Sequence, residues 1–159
     1  MKLHESLWAE NLDLARACLG HPFVQGLAKG TLDRDLFRAY IAQDAFFLRA
    51  FARAYAAALA RSDDLTAGRV FHRLIGGTFE ELRTHGRYAA ELGIDLDRVA
   101  PNRACRAYTD FLLSTAWRQS PGEIVSAMTP CMRLYAYLGW ELAPYSHPEH
   151  PYRQWIETY

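Results

Sequence analysis

The sequence predicts an all-α fold, and three observations carry that prediction. Apolar residues recur at three- and four-residue steps over long stretches. No sustained alternation of apolar and polar residues marks a strand. Glycine, proline and capping residues divide the chain into segments of helical length. At 159 residues, half of them hydrophobic, the chain suffices for one domain with its own core, taken here as residues 1–159.

The elements follow in order. A first helix is expected over Leu3 to Cys18, interrupted by Gly20-His21-Pro22, because a proline disfavours helical geometry in the residue before it. A short turn through Val24 and Leu27 comes next. Gly30-Thr31-Leu32-Asp33 supplies a breaker, a hydroxyl able to cap and an early acidic residue, starting a second helix that reaches Ala60. Asp63 or Asp64 caps a third helix, which runs to Leu92 before Gly93 ends it, with Arg69, Arg73, Arg83 and Arg87 on its exposed face. Pro101-Asn102 precedes a fourth helix, about Arg103 to Gln119. Ser120-Pro121-Gly122-Glu123 reads as a capping box with a first-turn proline, opening a fifth helix to about Leu142. Pro144 to Pro151 reads as loop, and Tyr152 to Tyr159 as the opening of a sixth helix.

Composition excludes several functions. Lys plus Arg and Asp plus Glu each number 18, so the basic footprint that nucleic-acid phosphates require is missing. The N-terminus runs into mixed polar residues, unlike a secretory signal. The most apolar stretch, Phe51 to Ala60, carries Arg53 and falls well short of the roughly 20 residues of a bilayer crossing. Cys18, Cys105 and Cys131 fit neither a disulfide framework nor a metal pair, and read as reduced thiols in a cytoplasm.

Polar groups on apolar stripes are the candidate functional residues. On the second helix Phe37, Tyr40, Ile41, Phe47, Leu48, Phe51 and Tyr55 form one stripe, with Asp44 in its middle. A carboxylate facing a core is costly, so Asp44 either pairs with a Tyr hydroxyl or an Arg to fix packing, or serves a ligand. On the fifth helix Ile124, Met128, Cys131, Tyr135 and Leu138 form a seam. Cys131 there is either a small hydrophobe or a nucleophile beside a kink at Pro130, which leaves the Ser126 carbonyl without its helical donor. Tyr108 is placed on the inner stripe of the fourth helix with Ala104, Phe111, Leu112 and Thr115. One carboxylate, one thiol and several phenols are thus expected to converge on one interior. A competing signal is Glu81 and His85, four apart on the third helix with Glu80 adjoining. That face could offer a carboxylate and an imidazole to the metal of a non-haem oxygenase, with Glu141, His147 and His150 as the remaining candidates.

The run His21-Pro22-Phe23-Val24, then Gly30-Thr31-Leu32, Phe37, Tyr40, Gln43-Asp44 and Phe47-Leu48 resembles the N-terminal signature of the TenA (thiaminase II) family. The resemblance continues through His85, Tyr88, Pro101, Tyr108, Pro130-Cys131, Tyr135, Tyr152, Trp155-Ile156 and Tyr159, across nearly the whole chain. It implies a haem-oxygenase-like helical bundle, a homotetramer and a role in thiamin salvage. The cysteine-bearing branch hydrolyses 4-amino-5-aminomethyl-2-methylpyrimidine to the hydroxymethyl-pyrimidine, and many members also cleave thiamin. Carried over by position, Cys131 adds to the pyrimidine ring as nucleophile and Asp44 hydrogen-bonds the aminopyrimidine and assists its protonation. Phe47 and Tyr135 sandwich the ring, while Tyr108 and Tyr159 supply hydroxyls.

These residue types suit that chemistry. A thiol of reference pKa about 8.5 becomes a nucleophile once a neighbour takes its proton, and a carboxylate beside a ring nitrogen stabilises developing charge. No metal or other cofactor is called for, and the expected partners are a small aminopyrimidine or thiamin and further copies of the chain. The family's bundle continues past the position of Tyr159 with helices whose last carries a glutamate that completes proton transfer. By that pattern the chain is expected to be short at its C-terminus, either as a fragment or with a dimer covering the gap. A pyrimidine-binding or regulatory module that keeps Asp44 and the aromatic cradle without turnover is the non-enzymatic alternative.

Overall fold

The computed structural model describes residues 2–159. Its helices are α1 (Leu3–Glu10), α2 (Leu12–Leu19), α3 (Pro22–Ala28), α4 (Arg34–Ala60), α5 (Leu65–Leu92), α6 (Arg103–Arg118), α7 (Pro121–Leu142) and α8 (Arg153–Ile156), with a 3-10 turn at Ala143–Tyr145. The described residues contain no strand, in agreement with the helical periodicity. None of these helices is long and apolar enough to cross a membrane.

Capping chemistry sets most of the boundaries. Asp64 caps α5 by accepting from the N–H groups of Thr66 and Ala67, and Gly93 ends that helix in the left-handed region at φ 64°. Asn102 caps α6 through the N–H of Cys105. The capping box at Ser120 forms as expected: Glu123 accepts from the Ser120 N–H at 2.9 Å, and the Ser120 hydroxyl receives the Glu123 N–H at 3.4 Å.

Four boundaries or phases differ from the sequence reading. The expected first helix breaks at Asn11, whose side-chain amide donates to the Leu7 carbonyl at 2.8 Å, while its backbone N–H turns to Trp8. The side chain takes the carbonyl that the helical ladder would have used. The expected turn at Val24 is a two-turn helix, because Pro22 fits the first helical position and His21 Nδ1 accepts from the Phe23 N–H. Asp33, not Thr31, caps α4, accepting from Asp35 and Leu36. On α6 the buried stripe is Thr109, Leu112 and Ala116, with Cys105 half-buried, while Ala104 and Phe111 are exposed. Burying Thr109 is tolerated because its hydroxyl donates to the Arg106 carbonyl at 3.0 Å.

The residues group into two compact units. One joins the segment ending at Leu36 to Cys131–Tyr159; the other is Phe37–Pro130. In the first, the C-terminal segment is tied to the α3–α4 connection. His150 accepts from the Tyr152 N–H at Nδ1 and donates from Nε2 to the Ala28 carbonyl at 3.2 Å; the Tyr152 hydroxyl donates to the Leu32 carbonyl at 2.7 Å. Gly30, at φ 67°, lets this connection approach closely: a Cβ there would sit 3.1 Å from the Pro151 ring. Leu27, Ala28, Leu138, Leu142, Trp155 and Ile156 are buried.

In the second unit α4 supplies most of the apolar surface, burying Phe37, Ile41, Leu48, Phe51 and Tyr55, five of the seven stripe residues; Tyr40 and Phe47 are half-buried. Gln43 fastens the entry to α6. Its amide donates to the Ala100 carbonyl at 3.1 Å and its oxygen accepts from the Asn102 N–H at 2.8 Å. This clamp fixes α6 beside the turn of α4 that carries Asp44. Arg69, Arg73, Arg83 and Arg87 lie on the exposed face of α5, as the sequence suggested.

Candidate functional site

The candidate residues fall into two groups, each within its own unit. Asp44, Phe47 and Tyr108 belong to Phe37–Pro130, and Cys131, Tyr135 and Tyr159 to the other unit.

Asp44 is 7% exposed and His85 2%. Nε2 of His85 lies 2.7 Å from Oδ2 of Asp44, and the Tyr40 hydroxyl, one turn earlier on α4, donates to the same oxygen at 3.0 Å. Among the described residues no hydrogen bond falls on Oδ1. Nδ1 of His85 faces the Glu81 backbone carbonyl at 3.0 Å. A carbonyl only accepts, so Nδ1 carries a proton, and Nε2 meets an oxygen that already accepts from Tyr40. This pattern suits an imidazolium against a carboxylate. Burial works against the charged ring, but the hydrogen bond and charge of Asp44, aided by the carbonyl and charge of Glu81, outweigh it and raise the His85 pKa above its ordinary 6.5.

The aromatic residues sit one turn away. Phe47 follows Asp44 by three residues and stacks on Tyr108, with centroids 5.4 Å apart and planes 17° from parallel. Tyr108 stacks in turn near Phe111. Cys105 donates its thiol proton to the Gln43 carbonyl at 3.5 Å; burial and then the nearby charge of Asp44 raise its pKa, with Arg106 opposing. Tyr88 packs edge-on against Phe37, and its buried hydroxyl finds no partner among the described residues. Burial and then the charge of Glu91 push that phenol up to about 12, with Arg87 opposing.

In the other unit, Cys131 is half-buried on α7, and Tyr135 follows one turn later. The Tyr135 ring meets Tyr159 at 4.7 Å and Trp155 at 6.3 Å, while Trp155 meets Tyr159 at 4.9 Å, so three aromatic rings form one cluster. Gly139, one further turn along α7, makes room for the Tyr159 backbone: a Cβ there would collide with the Tyr159 carbonyl. The helix runs through Pro130, where the Thr129 hydroxyl donates to the Val125 carbonyl at 2.7 Å.

The competing cluster changes its membership. Asp44 joins Glu81 and His85, with one ligand-capable atom of each within 4.8 Å of the others. His147 faces Glu149 instead, and His150 holds Ala28 and Tyr152. Both ring nitrogens of His85 are engaged by acceptors, so the geometry describes a hydrogen-bonded network.

A tyrosine partner for Asp44 was one of the expected alternatives, and Tyr40 supplies it; the pairing of His85 with Asp44 and the Gln43 clamp were not read from the sequence. Two spacings signal them: Tyr40 and Asp44 four apart on α4, and Glu81 and His85 four apart on α5, each placing polar groups on one helical face.

With this geometry in place, the comparisons are decisive. The TENA/THI-4/PQQC family profile matches residues 8–159. The chain belongs to that family. Among its relatives, the "Bifunctional TH2 protein, mitochondrial" of Arabidopsis thaliana is 39% identical over 160 residues, covering 87% of this chain and 26% of that protein. The aminopyrimidine aminohydrolase of Helicobacter pylori is 32% identical, covering 98% of this chain and 71% of that enzyme. A crystal structure of a TenA family transcription regulator from Silicibacter sp. TM1040 superposes with a TM-score of 0.91 at 30% identity, covering 99% of this chain and 72% of that one. The TenA-family chain thus spans about a quarter of the first relative's length and about seven tenths of the other two. The all-helical fold of this chain is that of the Silicibacter TenA family structure.

Proposed function

We propose that this protein hydrolyses 4-amino-5-aminomethyl-2-methylpyrimidine, and thiamin as a second substrate, in thiamin salvage. One observation carries the reading: a buried carboxylate, Asp44, is held at Oδ2 by Tyr40 and His85, leaves Oδ1 for a ligand, and stands one turn from the stacked Phe47 and Tyr108. A buried carboxylate oxygen facing a polar heterocycle edge exchanges a desolvation cost for a hydrogen bond to the ligand.

In the proposed reaction the Cys131 sulfur bonds to a pyrimidine ring carbon while Asp44 helps deliver a proton to a ring nitrogen, so ring aromaticity is lost. Aromaticity no longer holds the exocyclic C–N bond: the amine takes up a proton and leaves as ammonia, whereas the thiazolium nitrogen of thiamin leaves directly as the neutral thiazole. Water adds to the exposed methylene and gives up its proton, and the C–S bond breaks to restore the ring and the thiolate. Aminomethyl-pyrimidine plus water becomes hydroxymethyl-pyrimidine plus ammonia. Phe47 and Tyr135 hold the ring by stacking; Tyr108 and Tyr159 offer hydroxyls to its edge.

The protein is proposed to act in the cytoplasm as a homo-oligomer, a tetramer by analogy with the family. Trp117 and Trp140, 68% and 83% exposed, are side chains that such an assembly would cover. Incubating the full chain with each substrate and quantifying ammonia, thiazole and hydroxymethyl-pyrimidine tests the reading. Hydroxymethyl-pyrimidine and ammonia in equal amounts would support it; intact substrate with an active preparation of a known aminohydrolase alongside would contradict it. The name of the Silicibacter relative favours a second reading, a pyrimidine-responsive regulatory module, whose signature is binding without turnover.

A further inference from the structure

We infer that His85 is a positioning residue for the proposed hydrolysis, acting through Asp44: it fixes Oδ2 so that the carboxylate presents Oδ1 to the aminopyrimidine edge and keeps a proton at hand for the ring. The inference rests on the aminopyrimidine reading above.

The geometry specifies this role in three ways. His85 comes from α5 and Asp44 from α4, so the 2.7 Å bond locks the carboxylate's rotation across two helices. Its second nitrogen is anchored to the Glu81 carbonyl, which fixes the ring plane. Tyr40 donates to the same Oδ2, so both structural bonds are gathered on one oxygen. Oδ1 takes no hydrogen bond from the described residues and is not among their buried atoms without a partner, so it is the oxygen that a ligand can reach.

Proton accounting follows from the same contacts. The pair holds one proton between Nε2 and Oδ2, beyond the one on Nδ1. As a ring nitrogen of the ligand is protonated through Asp44, the Nε2 proton passes by way of that carboxyl to the ring, so His85 becomes neutral and Asp44 stays a carboxylate. When the C–S bond breaks and the ring is restored, the ring nitrogen returns this proton to the pair, while the proton lost by the attacking water balances the one taken up by the departing amine. The groups facing this pair are Tyr40 on α4, Glu81 on α5 and the Cys105 thiol on α6, with Arg106 acting on that thiol. Glu81 and Asp44 both favour the charged ring, and burial opposes it.

The test compares wild type with His85→Gln, which keeps a neutral side-chain donor, and His85→Ala, with circular dichroism and thermal melts to establish folding. Steady-state ammonia release is followed from about pH 5 to 9, and the histidine ring signals are titrated by NMR in wild type and Asp44→Asn. The inference predicts that folded His85→Gln loses kcat on the order of a hundredfold with KM changed less than about threefold, and loses the alkaline limb of the wild-type pH profile. It also predicts a wild-type His85 ring that stays protonated above its ordinary range and reverts in Asp44→Asn. Active wild type with an equally active His85→Gln of the same pH profile would overturn the inference while leaving the hydrolase reading standing. Inactive wild type would overturn the hydrolase reading and, with it, this role of His85; an ordinary His85 titration in an active wild type would overturn the role alone. One divalent metal per chain, bound in wild type and lost in His85→Gln, would also overturn it.

Discussion

His85 Nε2 and Asp44 Oδ2 meet at 2.7 Å although the residues are 41 positions apart in the chain. Each side chain is buried, so each depends on the other for the partner that water would otherwise supply. Removing one member strands the other, which is more damaging than replacing both with apolar groups. His85→Ala is therefore expected to lower unfolding stability by about 3 kcal/mol in urea titration, with Asp44→Asn costing less. In the double variant the losses should fall well short of their sum, because the two substitutions remove one shared interaction.

The same pair gives stability a pH dependence whose sign follows from the raised His85 pKa. The folded state holds the His85 proton more tightly than the unfolded chain does. The contribution is therefore complete below the unfolded value of about 6.5 and is lost as pH rises through the higher folded value. The stability gap between wild type and His85→Gln should be widest near about pH 6 and should narrow towards about pH 9, measured by urea midpoint at each pH. A gap that grows with pH would mean that the ring is buried neutral.

Tyr88 carries a buried hydroxyl without a hydrogen-bond partner among the described residues, and its phenol is pushed up to about 12. Tyr88→Phe keeps the edge-on contact with Phe37 and removes the stranded oxygen. It should raise stability by about 1 kcal/mol, read as a higher thermal midpoint. A drop of that size would show that the hydroxyl is satisfied in solution.

Two glycines on helices should respond to alanine with opposite signs. A Cβ at Gly77, on the exposed face of α5, meets nothing within 4 Å, so Gly77→Ala should stabilise by about 0.5–1 kcal/mol through helix propensity alone. At Gly139 the new methyl collides with the Tyr159 carbonyl, so Gly139→Ala should lose stability and loosen the Tyr135–Tyr159 ring pair. Thermal melts read the first, and near-UV circular dichroism reads the second.

The helices were legible where local chemistry fixes them. Asp64, Gly93 and the Ser120–Glu123 box mark their boundaries with side chains that bond backbone a few residues away, so the signal lies within one window of sequence. The break at Asn11 was not, because an asparagine in a helical pattern bonds solvent as readily as the Leu7 carbonyl. The phase of α6 was missed for a related reason: an exposed Phe111 and a buried Thr109 invert the usual ranking of apolar and polar residues. For the candidate site, the buried carboxylate was visible as an acid within an apolar stripe, and pairing with a tyrosine was one of the two fates open to it. That His85 joins Tyr40 there was not visible, since nothing in the sequence ties α4 to α5 across 41 residues.

The account stands most directly on ammonia release from 4-amino-5-aminomethyl-2-methylpyrimidine by wild type, Cys131→Ala, Asp44→Asn and Cys18→Ala, each shown to be folded. The expected result is turnover in wild type and Cys18→Ala, with rates reduced on the order of a hundredfold or more in Cys131→Ala and Asp44→Asn. Cys131→Ala releasing ammonia as fast as wild type would contradict it.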